Sequence, residues 1–188
     1  KFGANLNAYT AVDQTVYNIS AVPISRSSII DSCLLILHDW SNKILLEEEA
    51  IDNERGVIRE ELRTRNSAQM RMIEDLLPQI MPDSKYAHRL PGGLVEVINN
   101  FTYDELRDYY HKWYRPDLQG IIVIGDFDAE DIEKRVVKLF GAIPKHENPA
   151  PRTEFEVPNN KEPLIGIASD REATSSSVML MFKHDVFP

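Results

Sequence analysis

The stretch Glu47-Glu48-Glu49-Ala50-Ile51-Asp52-Asn53-Glu54-Arg55-Gly56-Val57-Ile58-Arg59-Glu60-Glu61 reads as a helix that carries chemistry. Glu47, Glu54 and Glu61 recur every seven residues. At about 3.6 residues per turn this is nearly two turns, so the three carboxylates share one face. Ala50, Ile51, Val57 and Ile58 fall on the same side, which makes the face apolar and acidic at once. Burying such a mixture is costly unless a cation or donors satisfy the oxygens, and a metal would resolve the conflict. The competing reading is a solvated face with surface pairs such as Asp52 with Arg55 or Glu61 with Arg65, worth only about 0.3–0.5 kcal/mol each. Against it stands the segregation of Arg55, Arg59 and Arg63 on a separate stripe, where a helix built for solubility would mix the signs.

Outward from this helix, the opening 25 residues read as two strands. Alternation is clearest at Thr15, Tyr17, Ile19 and Ala21, and Ala11-Val12-Asp13-Gln14 connects the strands into a hairpin. Ser27 or Ser28 can cap a helix whose apolar positions Ile30, Cys33, Leu34 and Leu37, with Trp40 or Ser41, keep the helical period. The acidic helix is expected from about Ile44 into the early seventies. Residues 78–100, with Pro78, Pro82, Pro91, Gly92 and Gly93, read as loop with a short helix at Leu94–Asn99. Thr102 with Glu105 forms a capping box ahead of a helix bearing Leu106, Tyr109, Tyr110 and Trp113 on one side. Arg115-Pro116 ends it, and Gly120 to Phe127 has the composition of a buried strand. Asp128 with Asp131 starts an amphipathic helix carrying Ile132, Val136, Leu139 and Phe140. Prolines 144, 148, 151, 158 and 163 mark a linker. Leu164–Ala168 and Ser177–Lys183 read as two further strands. The order predicts an α+β fold with helices packed on a mainly antiparallel sheet.

Composition sets bounds on function. With 43% hydrophobic residues the chain can bury a core, and a net charge of -9 without a basic cluster argues against nucleic acid or an anionic membrane as the main partner. A basic peptide is compatible with it. The longest apolar run falls well short of a membrane span, and no signal peptide is visible. Cys33 is the only cysteine, which excludes an intramolecular disulfide and a cysteine-based zinc site; within its apolar helix it reads as core.

Three stretches together resemble the insulinase/pitrilysin family of zinc metallopeptidases. The first is Gly3, Asn7-Ala8-Tyr9-Thr10, Asp13, Thr15 and Tyr17; the second is Asp52-Asn53-Glu54-Arg55, Val57-Ile58 and Glu60-Glu61. The third is Phe101-Thr102, Glu105-Leu106, Tyr109-Tyr110 and Trp113-Tyr114-Arg115-Pro116, followed by Ile121-Ile122-Val123-Ile124-Gly125-Asp126-Phe127. The resemblance implies an inverted zinc motif, H-x-x-E-H, with two histidine ligands and a glutamate base. No two of His38, His88, His111, His146 and His184 are four residues apart. The chain is therefore expected to be an internal fragment that starts downstream of that motif.

On this sequence the resemblance assigns the third zinc ligand to Glu54 and a supporting role to Glu47. Their α-carbons lie about 10.5 Å apart along a helix axis, which suits one ligand and one supporting residue. Zinc would then be held in the parent protein by two nitrogens from the missing segment, Glu54 and a water, and would be absent from the fragment alone. The general base would lie in the missing segment. Asn7, Ala8, Tyr9 and Thr10 match the family's substrate-binding edge strand, to which an extended peptide adds by main-chain pairing.

The implied function is a fragment of a zinc-dependent endopeptidase, inactive by itself, acting on a peptide or small unfolded protein. A homologous second half or partner subunit would close the chamber. The implied domains are 1–145, the C-terminal part of a first peptidase domain; 146–163, a linker; and 164–188, the start of a second homologous domain. Resemblance to exported members suggests a bacterial protein of the periplasm or cell envelope, with the cytoplasm as the alternative. A non-catalytic homologue serving as partner subunit or peptide-binding scaffold is the alternative of a different class. A carboxylate-only Mg²⁺ or Ca²⁺ site is a third reading, disfavoured because the seven-residue spacing spreads the oxygens along the helix.

Overall fold

A computed structural model of the chain describes residues 3–184. The elements run β1 (Asn5–Thr10), β2 (Thr15–Ser20), α1 (Ser27–Asn42), α2 (Glu48–Arg65), α3 (Ala68–Ile80), α4 (Val95–Asn100), α5 (Tyr103–Trp113) and α6 (Ala129–Phe140), with short 3₁₀ turns at Lys85–His88 and Pro116–Leu118. The fold is α+β: helices with a small antiparallel sheet. The chain divides into two compact units within the continuous helix α2, one formed by the residues up to 54 with 100–152, the other by 55–99 with those from 153 onward.

The first unit holds the hairpin, α1, the start of α2, α5 and α6. Strands β1 and β2 pair antiparallel in the register Asn5 to Ser20, Asn7 to Asn18, Ala8 to Tyr17 and Thr10 to Thr15. Helix α1 buries Ile29, Cys33, Leu34 and His38, and its residue before the first turn is Arg26, with no side-chain cap. The expected serine cap is thus not used, because Ser27 already belongs to the helix. Burial pushes the Cys33 thiol up, keeping it protonated and inert. Helix α6 lies along α1: Arg135 bonds Asp31 at 2.8 Å and Ser27 at 2.5 Å, and the His38 and Phe140 rings meet edge-on with centroids 5.5 Å apart. Asp128 caps α6 through the amides of Glu130 and Asp131. The Thr102–Glu105 box caps α5 with both reciprocal bonds present.

The second unit holds the rest of α2, then α3, α4 and the segment from 153. The single acidic helix expected into the early seventies is two helices. The Ser67 hydroxyl accepts the Met70 amide at 3.3 Å, and this cap opens α3, which continues past Pro78 to Ile80. Residues 166–172 are fastened to α3. The Gln79 carboxamide donates to the Ile167 carbonyl and accepts the Ile167 amide, both at 3.1 Å, the two bonds a neighbouring strand would otherwise make. Arg71 holds Asp170 at 2.7 and 2.8 Å and Glu172 at 2.7 Å.

Three expected strands differ from the structure. Residues 120–127, 164–168 and 177–183 enter no ladder among the described residues. Ile122 and Ile124 are 83% and 91% exposed instead of buried, and Val178 is 98% exposed. These segments have strand composition, but a strand also needs a neighbour for its amides and a layer over its side chains. Among the described residues no strand pairs with them; α3 serves only Ile167, through Gln79.

Candidate metal-ligand helix and peptide-binding edge

One helix organises the region that carries the candidate residues. On α5 and the residue that ends it, Tyr103, Arg107, Tyr110 and Tyr114 follow spacings of four, three and four, so they form a single stripe. Tyr103 donates to the Asp52 carboxylate at 2.6 Å. Arg107 donates to the Leu46 carbonyl at 3.1 Å and lies 3.8 Å from Glu48. The Tyr110 hydroxyl donates to the Trp40 carbonyl at 2.9 Å and accepts the Ile44 amide at 3.3 Å. Tyr114 meets the Tyr17 hydroxyl of β2 at 2.6 Å. The stripe therefore ties the hairpin, the end of α1 and the start of α2 together.

Of the residues the sequence placed on one side of α5, Tyr110 is 5% exposed and Leu106 and Trp113 are half-buried, as core positions would be, whereas Tyr109 is 59% exposed. Tyr103, Arg107 and Tyr114 were missed. The signal that could have found them is their helical spacing, hidden because Tyr103 and Arg107 are polar enough to pass for surface. Burial is the first cause that raises the Tyr114 hydroxyl pKa, followed by its bond to Tyr17, so it stays protonated across the neutral range.

Glu47 sits at the entry to α2, where its carbonyl accepts the Ile51 amide at 3.0 Å. Leu46, just before it, has φ +50°, a left-handed conformation that costs a non-glycine residue about 1–3 kcal/mol. The Arg107 bond to the Leu46 carbonyl holds that turn in place. The Glu47, Glu54 and Glu61 side chains are all exposed. The buried, apolar-and-acidic face expected of this helix is thus split. Ile51 turns inward at 6% exposure, Val57 stays 58% exposed, and the glutamates run along solvent, where they need no cation to be tolerated.

The three glutamates differ in their partners. Arg65 pairs with Glu61 at 2.5 Å and Arg63 with Glu60 at 2.5 Å, as the surface-pair reading expects. No side-chain hydrogen bond or ion pair from the described residues engages Glu47 or Glu54. Among the described residues no group of three or more His, Cys, Asp or Glu could hold a metal ion. This offers nothing to a carboxylate-only Mg²⁺ or Ca²⁺ site. For zinc, Glu54 and Glu47 suit one corner of a site, and the described residues do not complete it.

The hairpin defines its own free edge. The Ala11 amide donates to the Gln14 carbonyl at 2.8 Å and closes a two-residue turn, so the hydrogen-bonded pairs alternate back through Tyr9 with Val16, Asn7 with Asn18 and Asn5 with Ser20. Leu6, Ala8 and Thr10 consequently turn their amides and carbonyls away from β2. Consistent with this, the Ala8 amide donates to the Asn7 side chain at 2.9 Å. The outward groups repeat every ~6.8 Å, two residues of an extended strand, the repeat an incoming strand would match. Asn7 to Thr10 are exposed and, like Glu47 and Glu54, belong to the first unit.

Comparison with known proteins agrees with these elements. Residues 1–90 match the family model for insulinase, peptidase family M16, and residues 100–184 match the model for the peptidase M16 inactive domain. The chain is 32% identical over 187 residues to a probable zinc protease PqqL of Haemophilus influenzae, covering 97% of this chain and 20% of that protein. Its fold matches the crystal structure of the first half of the periplasmic protease PqqL from Escherichia coli with TM-score 0.75 and 30% identity, over 86% of this chain and 34% of that one. It also matches a mutant of the ferredoxin protease FusC in complex with Arabidopsis ferredoxin, with TM-score 0.74 and 28% identity, over 81% of this chain and 17% of that one. All three are named as proteases, the Haemophilus influenzae one as a probable zinc protease. The chain belongs to the insulinase family of metallopeptidases, peptidase family M16. It spans about a fifth of the length of the curated relatives it matches. All the candidate residues fall within the insulinase match, and relatives named as zinc proteases do not favour the scaffold alternative.

Proposed function

We propose that this chain is part of a zinc-dependent endopeptidase in which Glu54 supplies a carboxylate ligand, Glu47 supports it, and Asn7, Ala8, Tyr9 and Thr10 receive an extended peptide. The carrying observation is the selective pairing along α2: Glu61 is engaged by Arg65, while Glu47 and Glu54 keep their oxygens available. The outward amides and carbonyls of Leu6, Ala8 and Thr10 support the peptide edge, because strand addition reads the main chain and tolerates varied side chains. The net charge of -9 favours basic peptides.

The two histidine ligands and the general base would come from elsewhere in the parent protein, and this chain without them would be inactive. When bound, zinc supplies activation of water for peptide hydrolysis; the residues here orient and bind. A homologous second half closes over the substrate. Residues 1–145, 146–163 and 164–188 act as the end of one peptidase domain, a linker and the start of another. Location in a bacterial periplasm fits likeness to a periplasmic protease.

The test is zinc content and peptidase activity of the full-length polypeptide. Glu54→Gln should lower both together, and Glu47→Gln should lower activity with a smaller loss of metal. Unchanged zinc and activity in Glu54→Gln would remove the ligand assignment.

A further inference from the structure

The centre of the open β1 edge is not bare. Ala8 is the middle of the three residues whose amides turn outward, and its N–H is already taken by the side chain of its neighbour, Asn7 Oδ1, at 2.9 Å. In the sheet register Asn7 faces Asn18 as a hydrogen-bonded pair, so the Asn7 main chain is committed to β2 while its carboxamide folds back along the strand to the opposite edge. The bond is local and exposed, hence weak enough to open. It nevertheless competes for the donor that an added strand would need first.

From this geometry we infer that Asn7 is a latch on the peptide-binding edge: its carboxamide closes the Ala8 amide in the free protein and swings away when an extended peptide pairs there. The inference rests on β1 being the peptide edge. An unpaired donor in mid-edge is a template for any passing strand, including β1 of a second copy, and a side chain that covers it suppresses such pairing without forbidding it. A peptide able to make the outward bonds at Leu6, Ala8 and Thr10 together displaces the latch; a contact at Ala8 alone does not. Asn7 is thus a positioning residue that favours longer extended substrates. The released carboxamide keeps a donor and an acceptor beside the added strand.

Amide hydrogen exchange by NMR on this chain, with a blocked hexapeptide of alternating Val and Thr carrying one Lys as probe, tests the proposal. In Asn7→Ala the Ala8 amide of the free protein should exchange about fivefold faster, the effect of losing one ordinary hydrogen bond. Asn7→Asp, which retains a side-chain acceptor, should restore protection. The hexapeptide should bind Asn7→Ala about fivefold more tightly than the unaltered chain, and in the unaltered chain it should shift the Asn7 side-chain amide resonances together with Ala8. Exchange at Ala8 within twofold of the unaltered chain in Asn7→Ala overturns the latch, as does equal or weaker peptide binding by that variant. If no variant binds the hexapeptide while Ala8 exchange still follows Asn7, the peptide-edge reading is what fails, and the gating role falls with it.

Discussion

Removing a single oxygen, in Tyr110→Phe, should weaken the region that carries Glu47 more than its size suggests. The hydroxyl serves two main-chain groups at once: it donates to the Trp40 carbonyl and accepts the Ile44 amide. Trp40 lies in the last turn of α1, where carbonyls have no partner within the helix, and the Ser41 carbonyl beside it is served separately by Gln119 at 3.0 Å. Tyr110 is 5% exposed, so water cannot simply take over. Two lost bonds at about 1 kcal/mol each, with a carbonyl left unserved, give about 2 kcal/mol. With a urea slope of about 2 kcal/mol/M, the unfolding midpoint falls by about 1 M. Phenylalanine keeps the ring packed against Tyr114, whose centroid is 4.6 Å away, so the change isolates the hydroxyl. Tyr109→Phe is the control, one residue along and 59% exposed, and should move the midpoint by under about 0.25 M. A Tyr110→Phe midpoint equal to that of the control would refute the claim that this hydroxyl holds the α1–α2 connection.

Other perturbations test other joints. Arg71 holds the Asp170 carboxyl down at about 2, helped by the Glu172 amide. A depressed carboxyl stabilises the folded state fully above its ordinary value of 3.8 and loses that contribution as pH falls from there through about 2. In Arg71→Met, NMR titration should find the Asp170 midpoint moved toward the ordinary value; an unmoved midpoint would show that Arg71 is not the cause. Thr102→Ala removes the side-chain half of the capping box on α5, leaving the residue-102 amide still donating to Glu105, and should cost about 1 kcal/mol by urea unfolding, whereas Thr102→Ser should cost little. Gly166→Ala would set a methyl group into the Leu76 side chain and 2.9 Å from Ile80, destabilising by about 1–3 kcal/mol, and Leu76→Ala should partly rescue it if that collision is the reason.

What the sequence disclosed and what it withheld separate along a physical line. Features settled by neighbours in the chain were legible: the hairpin with its turn at Ala11–Gln14, the Thr102–Glu105 cap, the Asp128 cap and the short helix after Leu94 all formed. The break at Ser67 was local too, yet an unbroken helical pattern concealed it until the serine hydroxyl was seen on the Met70 amide. The acidic helix was recognisable by periodicity, but periodicity cannot say which side faces water. The expected burial of Glu47 and Glu54 failed because Ile51 alone turns fully inward there. The Leu46 turn, with φ +50°, carries no glycine to announce it. Likewise the Gln79 clasp on Ile167 joins residues 88 positions apart, a distance at which a single sequence is silent.

The α5 stripe explains why the two candidate features belong together although they are about forty residues apart in sequence. A ligand carboxylate and a peptide edge are useful only at a fixed separation, since misplacement by about 1 Å can cost on the order of a hundredfold in rate. Exposed glutamates on a helix and an exposed edge of a hairpin cannot set that separation through contacts of their own. It must come from something rigid touching both. Tyr114 grips the strand paired to Asn7–Thr10, through Tyr17, while Arg107 and Tyr103 grip the residues on either side of Glu47. All three act from one helix whose first turn is capped twice. The candidate residues can therefore stay exposed, Glu47 and Glu54 without a side-chain partner among the described residues, because Tyr103, Arg107 and Tyr114 hold the backbone beneath them.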